Sequence, residues 1–259
     1  QKSLDTTESN WPSHAKVLVY PDDMTQTVAK DRFEYYDLCK EQPSLKAFIE
    51  RHANNPKLQR LGMKDYQFEY DAIRFSYKVF ACIDAYQKTK PDMLWYLDAD
   101  IITFEPIPMT WLEHIIPDQA FTSYLGRPKK GFSETGYYAF NTAHEYADEF
   151  FKRWQQYYDD DLFYNIQKGF LNTFPRAGYT DSFTFDAVRL EMEQAGKIQN
   201  EDLNDGRFGG MRKARHPFIN SELGQYMDHL KGFDRKDAMK SKKIDLTTKQ
   251  THAYWKDLK

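Results

Sequence analysis

Residues 93–102 read MLWYLDADII, so an apolar run ends at two carboxylates, Asp98 and Asp100. Such a run is typical of a buried β-strand, whose end is an unfavourable place for two charges unless something compensates them. Ligands of open α/β sheets bind at the carboxyl ends of strands, and Mg²⁺ and Mn²⁺ prefer oxygen ligands. The stretch therefore predicts two metal ligands. Capping of the following segment is the alternative, because D-x-D alone is a common pattern.

The segments around this strand indicate an α/β fold. Apolar β-type runs occur at residues 16–20, 120–125 and 136–141, and helical patterns occur at residues 69–88, 110–116, 143–168 and 181–196. Because strands and helices alternate along the chain, we expect a largely parallel sheet.

The composition excludes several classes of protein. The chain has 259 residues, a net charge of −3 and two cysteines, which excludes a disulfide scaffold and a cysteine-rich zinc module. No apolar run approaches the roughly 20 residues that span a bilayer, and no signal peptide is visible. Neither the P-loop nor the dinucleotide-binding glycine pattern occurs. Because the chain begins at Gln1 rather than Met, we expect further sequence upstream.

The positive charge is concentrated near the end of the chain. Residues 231–259 carry nine Lys and Arg against four Asp. This segment begins within Asp228-His229-Leu230-Lys231-Gly232, where an imidazole could complete the metal shell and Lys231 beside a glycine could meet phosphate oxygens. The alternative is a helix that ends with Gly232 as its capping residue, with His229 and Lys231 near the last carbonyls.

The order of these features resembles that of GT-A glycosyltransferases. The late segment from Asp228 to Gly232 resembles the H-x-x-G segment of glycogenin-like enzymes and lipooligosaccharide galactosyltransferases, and residues 124–141 look like the family's middle segment. The similarity covers about residues 16–236. It implies a GT-A-like mixed sheet flanked by helices, and it implies roles for seven residues: metal ligands Asp98, Asp100 and His229; diphosphate partners Lys231 and Gly232; and donor-facing cations Arg74 and Lys78.

Two departures from the family pattern leave the subfamily and the stereochemistry open. Asp234-Arg235-Lys236 stands where the glycogenin type has Lys-Pro-Trp. No strand precedes residue 16 in the position of the family's first strand with its nucleotide loop. We therefore expect residues 1–236 to form a catalytic domain without that strand, and residues 237–259 to form a basic C-terminal tail.

Two acids are candidates for a catalytic base. An inverting transfer needs a carboxylate that takes the proton of the acceptor hydroxyl. Asp181, which directly precedes a helical pattern, is the first choice and Glu134 is the second. Capping of the helix by Asp181 explains its position equally well.

The sequence thus predicts a metal-dependent glycosyltransferase of the hexosyltransferase type, active in polysaccharide biosynthesis. Its expected partners are Mn²⁺ or Mg²⁺, a nucleotide sugar donor, UDP-linked by preference, and a glycan or glycoconjugate acceptor, but no nucleic acid. We expect it in the cytoplasm, or attached peripherally to a membrane. The alternatives are a nucleotidyltransferase of sugar phosphates and a non-catalytic glycan-binding module that uses the abundant aromatic residues.

Overall fold

A computed structural model describes residues 2–28, 30–58, 68–127, 132–204, 216–247, 250–256 and 258. Residues 128–131 of the expected middle segment lie outside this description. The chain divides into two compact units, each formed by separated stretches of sequence. Unit 1 comprises Gln1–Ala15, Trp95–Asn141 and Gln199–Lys259, and unit 2 comprises Lys16–Leu94 and Thr142–Ile198.

The described residues form helices and short strands. The helices are α1 (Lys2–Asn10), α2 (Leu38–Glu41), α3 (Pro43–His52), α4 (Ala72–Thr89), α5 (Met109–Ile115), α6 (Ala147–Asp159), α7 (Asp181–Gln194) and α8 (Phe233–Ala238). The strands are β1 (Val17–Val19), β2 (Phe33–Tyr35), β3 (Met93–Leu97), β4 (Ile101–Thr103), β5 (Thr122–Leu125), β6 (Glu134–Asn141), β7 (Asn200–Asp202) and β8 (Met227–His229).

The sheet arrangement is mixed, which confirms the α/β class but not the expectation of a largely parallel sheet. A four-stranded sheet has the order β3-β6-β5-β7. Strand β5 runs antiparallel to β6 and parallel to β7. Strands β4 and β8 form a separate antiparallel pair, and β1 and β2 a parallel one.

Unit 1 packs aromatic residues of the sheet against α1. Tyr137 is fully buried in β6 and lies edge-on to Trp95, with ring centroids 5.4 Å apart. Trp11, just after α1, also lies edge-on to Trp95, with ring centroids 5.4 Å apart, and donates its indole N–H to Thr103 Oγ1 at 3.0 Å. These contacts bury large apolar area and give the tryptophan N–H a partner, so they fix the position of β3 and β4.

Unit 2 contains the β1–β2 pair and a group of helices that pack around α4. Asp71 begins this helix by accepting a hydrogen bond from the backbone N–H of Arg74 at 3.2 Å, as an N-cap residue does. Phe80 of α4 and Trp154 of α6 are fully buried, and Trp154 donates to Thr184 Oγ1 of α7 at 3.0 Å. Much of the high aromatic content therefore lies in hydrophobic cores.

The segment after β8 packs back onto that strand. The buried Asp228 accepts hydrogen bonds from the backbone N–H and the hydroxyl of Ser241, at 2.8 and 2.6 Å, and from the Tyr254 hydroxyl at 2.9 Å. These bonds satisfy a fully buried carboxylate and tie residues beyond α8 to the strand. The domain boundary expected between residues 236 and 237 stays a prediction. Among the described residues, no helix has the length and apolar character to cross a membrane.

Candidate metal centre

Asp98 and Asp100 lie in the turn between β3 and β4. The run read from the sequence as one strand is interrupted here, because the Ile101 N–H donates to Asp98 O at 3.0 Å and closes a tight turn. The Asp98 N–H donates to Gly136 O of β6 at 3.0 Å, and the Tyr96 hydroxyl donates to Asp98 Oδ1, also at 3.0 Å. The turn therefore presents both carboxylates from a fixed backbone.

His229 reaches these carboxylates through the pairing of β4 with β8. Its register partner is Ile101, and the Leu230 N–H donates to Asp100 O at 3.0 Å. The helix that the sequence offered as an alternative for this segment does not form. Gly232 instead directly precedes α8. Its φ is 83°, a backbone conformation that glycine adopts readily.

The three side chains meet at one point. His229 Nε2 lies 3.1 Å from Asp100 Oδ1 and 3.7 Å from Asp98 Oδ2. One ligand atom from each residue falls within 4.8 Å of the other two. The structure thus brings together the three residues that the sequence selected as metal ligands.

The ring of His229 is held in a buried slot. A Cβ added at Gly136 would lie 2.3 Å from the ring carbon Cε1, so the ring occupies the space that the glycine leaves open. His216 contacts the carbonyl of His229 through Nε2 at 2.8 Å. His216 is itself only 3% exposed, and burial lowers its pKa to about 3. Its apolar neighbours Phe218 and Ile219 were the sequence signal for this burial.

The electrostatics favour the forms that bind a cation. Burial, together with the charge of Lys231, lowers the pKa of His229, although Asp100 acts to raise it. Burial also acts to raise the pKa of Asp100, but His229 and Lys236 outweigh it and hold that pKa well below its ordinary value. A neutral imidazole and ionised carboxylates are the metal-binding states of these groups.

In the part of the chain that the structure describes, three cations contact Asp100 or Glu134, the carboxylate next to His229. Lys236 of α8 places Nζ 2.9 Å from Asp100 Oδ2 and is half exposed. Lys231 and Arg127 both contact the carboxylate of Glu134, which is 4% exposed. Sequence reasoning assigned no role to Arg127 or Lys236, because their closeness to these acids depends on the folded chain. Arg235, next to Lys236, is engaged by Asp245.

The other candidates lie in unit 2. Asp181 is buried in the first turn of α7, and Thr180 occupies the N-cap position that we expected for Asp181. Lys78 Nζ lies 3.6 Å from Asp181 Oδ2. Arg74 is exposed on α4. The roles assigned to these residues stay predictions.

The donor set fits a hard divalent cation. An octahedral shell with ligands at about 2.1 Å separates neighbouring ligand atoms by about 3 Å and opposite ones by about 4 Å. The distances of 3.1 and 3.7 Å from His229 Nε2 to the two carboxylates lie in that range. Two carboxylates and an imidazole suit Mn²⁺ or Mg²⁺ and leave positions for phosphate oxygens.

Comparison with protein-family models and with curated protein sequences gives no match. Among solved structures, the chain is similar to mouse xyloside xylosyltransferase 1 in its apo form. The TM-score is 0.40 and the sequence identity is 12%, over 70% of this chain and 66% of that chain.

Proposed function

We propose that this protein is a divalent-metal-dependent glycosyltransferase that moves a sugar from a nucleotide diphosphate sugar to a glycan acceptor. The observation that carries the proposal is the convergence of Asp98, Asp100 and His229 at the end of β3. A cation held there would supply Lewis-acid stabilisation of the leaving diphosphate. In its more specific form, the proposal is that the donor is a UDP-sugar, that the cation is Mn²⁺ and that the transferred group is a hexosyl group.

The residues near the cluster suit a diphosphate. Lys236 contacts Asp100 from an exposed position, and Lys231, two residues after β8, contacts Glu134 next to His229, so both place positive charge near the cluster. In the transfer, the bond from the anomeric carbon to the diphosphate oxygen breaks and the acceptor oxygen bonds to that carbon. The nucleoside diphosphate leaves. We assign Asp181 as the group that takes the acceptor proton if the transfer inverts the anomeric centre.

Glu134 is less suited to be the base. Arg127 and Lys231 both contact its carboxylate, which is nearly enclosed. Two cations on one carboxylate stabilise its charged form and oppose proton uptake.

The test is donor hydrolysis or transfer by the full chain, with and without Mn²⁺. We expect EDTA or Asp100→Ala to lower the rate by at least about 100-fold, because the metal stabilises the leaving charge. The matched control is Asp148→Asn, since Asp148 is an exposed acid of unit 2 whose partners are Lys90 and the Tyr86 hydroxyl. Undiminished activity of Asp100→Ala, or activity in excess EDTA, would contradict the proposal.

Calorimetry separates the remaining classes of function. A glycosyltransferase binds UDP in the presence of Mn²⁺. A nucleotidyltransferase would bind a nucleoside triphosphate and a sugar phosphate instead. A glycan-binding module would give heat with oligosaccharides but none with any nucleotide.

A further inference from the structure

The Nδ1 atom of His229 faces away from the metal cluster and toward Glu134. Nε2 lies on the side of Asp98 and Asp100, whereas Nδ1 lies 3.7 Å from Glu134 Oε1. Nδ1 is buried and has no hydrogen-bond partner among the residues that the structure describes. A buried ring nitrogen in this state calls for an explanation.

Metal binding fixes which nitrogen of the ring carries the proton. Nε2 coordinates through its lone pair, so a neutral His229 bound to a cation must carry its proton on Nδ1. That N–H then needs an acceptor inside the protein. Glu134 Oε1 is the acceptor that Nδ1 faces, and a shift of less than about 1 Å would close the 3.7 Å gap to hydrogen-bond length.

The position of Glu134 is itself held in place. Its backbone is paired with Leu125 of β5, and its side chain is nearly enclosed. Arg127 and Lys231 compensate its charge. Gly136, two residues further along β6, leaves the space that the imidazole occupies. The same strand therefore supplies both the acceptor and the slot for the ring.

We infer that Glu134 is a positioning residue for the metal centre: it accepts the Nδ1–H of His229 and so aims Nε2 at the cation. Carboxylates behind metal-bound histidines commonly fix the tautomer and orientation of the ring. The inference rests on the proposed function, because it requires a cation at Asp98, Asp100 and His229. It assigns to Glu134 a role in metal affinity rather than in proton transfer from the acceptor.

The test measures Mn²⁺ affinity of the full chain by calorimetry in four proteins: wild type, Glu134→Ala, Glu134→Gln and Glu105→Gln. We expect Glu134→Ala to weaken binding by about 10- to 100-fold. Glu134→Gln keeps an acceptor oxygen of the same length and should recover most of the affinity. Glu105 is the matched control, because its carboxylate also pairs with a histidine of unit 1, His252, at 3.1 Å. Glu105→Gln should bind like wild type.

A second readout follows the ring directly. In the Mg²⁺-loaded wild type, ¹⁵N NMR should show His229 protonated at Nδ1 alone, and Glu134→Gln should keep that signature. A loss of affinity in Glu134→Ala that came from general damage to the fold would be accompanied by a lower thermal stability of that variant, and Glu134→Gln would then lack the affinity and the Nδ1 tautomer that the inference predicts.

The two proposals fail in different ways. A wild type that binds no Mn²⁺ overturns the proposed function and this inference with it. A wild type that binds Mn²⁺ while Glu134→Ala binds it equally well overturns the inference alone. So does a His229 ring that is protonated at Nε2 in the metal-loaded protein.

Discussion

Two clusters in this protein join an aspartate to a histidine and a cation, yet their surroundings differ. In unit 1, Asp100 Oδ1 lies 3.1 Å from His229 Nε2, and Lys236 contacts its other oxygen. In unit 2, Asp161 Oδ1 lies 2.8 Å from His52 Nε2, and Arg51 donates to both oxygens, at 2.8 and 3.2 Å. We call these groups the Asp100 cluster and the Asp161 cluster.

The difference lies in what else faces the histidine. In the Asp100 cluster a second carboxylate, Asp98, comes within 3.7 Å of the same imidazole nitrogen, so three donors share one point. In the Asp161 cluster the Arg51 guanidinium binds both oxygens of the carboxylate, and such a bidentate ion pair is strong without any further partner. We therefore expect an Asp–His pair to bind a metal where further donor atoms face it, as in the Asp100 cluster, and not where a guanidinium already binds the carboxylate, as in the Asp161 cluster.

The largest expected effect is on metal affinity. Asp100→Asn should weaken Mn²⁺ binding by more than about 100-fold, because a carboxylate that we propose as a metal ligand is replaced by a weaker neutral one. Asp161→Asn should bind Mn²⁺ like wild type. Calorimetric titration of both variants measures this contrast, and equal losses in the two would remove the distinction between the clusters.

The opposite contrast is expected for stability. Asp161→Asn should lower the free energy of unfolding at pH 7 by about 1–2 kcal/mol, because hydrogen bonds to charged partners are lost in a group that is 30% exposed. Asn suits the left-handed backbone at this position, where φ is 53°, so the substitution adds no strain. Urea unfolding followed by circular dichroism gives the value.

The difference in unfolding free energy between wild type and Asp161→Asn should depend on pH. Burial acts to raise the pKa of Asp161, but Arg51 and His52 outweigh it and lower that pKa. Because the pKa of Asp161 is lower in the folded than in the unfolded chain, its ionised carboxylate stabilises the fold fully above the unfolded pKa of about 4. That stabilisation is lost as the pH falls through the folded pKa. The stability gap between wild type and Asp161→Asn should therefore narrow on acidification below pH 4. A gap of the same size at pH 7 and at pH 3 would show that this ionisation does not contribute.

The smallest expected effect concerns Lys236. Its ammonium lies 2.9 Å from Asp100 Oδ2 and competes with a cation for that oxygen. Because the side chain is 50% exposed, the pair is worth little, and Lys236→Met should tighten Mn²⁺ binding by no more than about fivefold. The gain should shrink at high salt. Lys240→Met is the control, since Lys240 lies over the Tyr254 ring. Weaker binding by Lys236→Met would mean that Lys236 supports the cation instead of competing with it.

Much of this site could be read from the sequence, because its strongest signal is local. The apolar residues of this stretch indicate a buried strand, and the two carboxylates mark where it ends, so Asp98 and Asp100 can be identified from residues 93–102 alone. The long helix α4 was likewise visible in its periodic apolar residues, within three residues of its observed ends. Both features depend on near neighbours in sequence.

The rest depends on pairing between distant residues. Strand β8 is only three residues long and contains Asp228 and His229, so its pattern does not favour a strand. It forms because β4 supplies the partner edge, more than a hundred residues earlier in the chain. The contacts of Glu134 with Arg127, Lys231 and His229 arise in the same way. Sequence alone therefore offered Glu134 as a base and not as a neighbour of the metal centre.

The most direct test of the central claim is the position of the metal itself. Crystals of the protein soaked in Mn²⁺ and UDP, measured at the manganese absorption edge, locate the ion without assumptions about its ligands. The account predicts one strong anomalous peak at about 2.1–2.2 Å from a carboxylate oxygen of Asp98, one of Asp100 and Nε2 of His229. A manganese peak elsewhere, with these three residues free of metal, would contradict it.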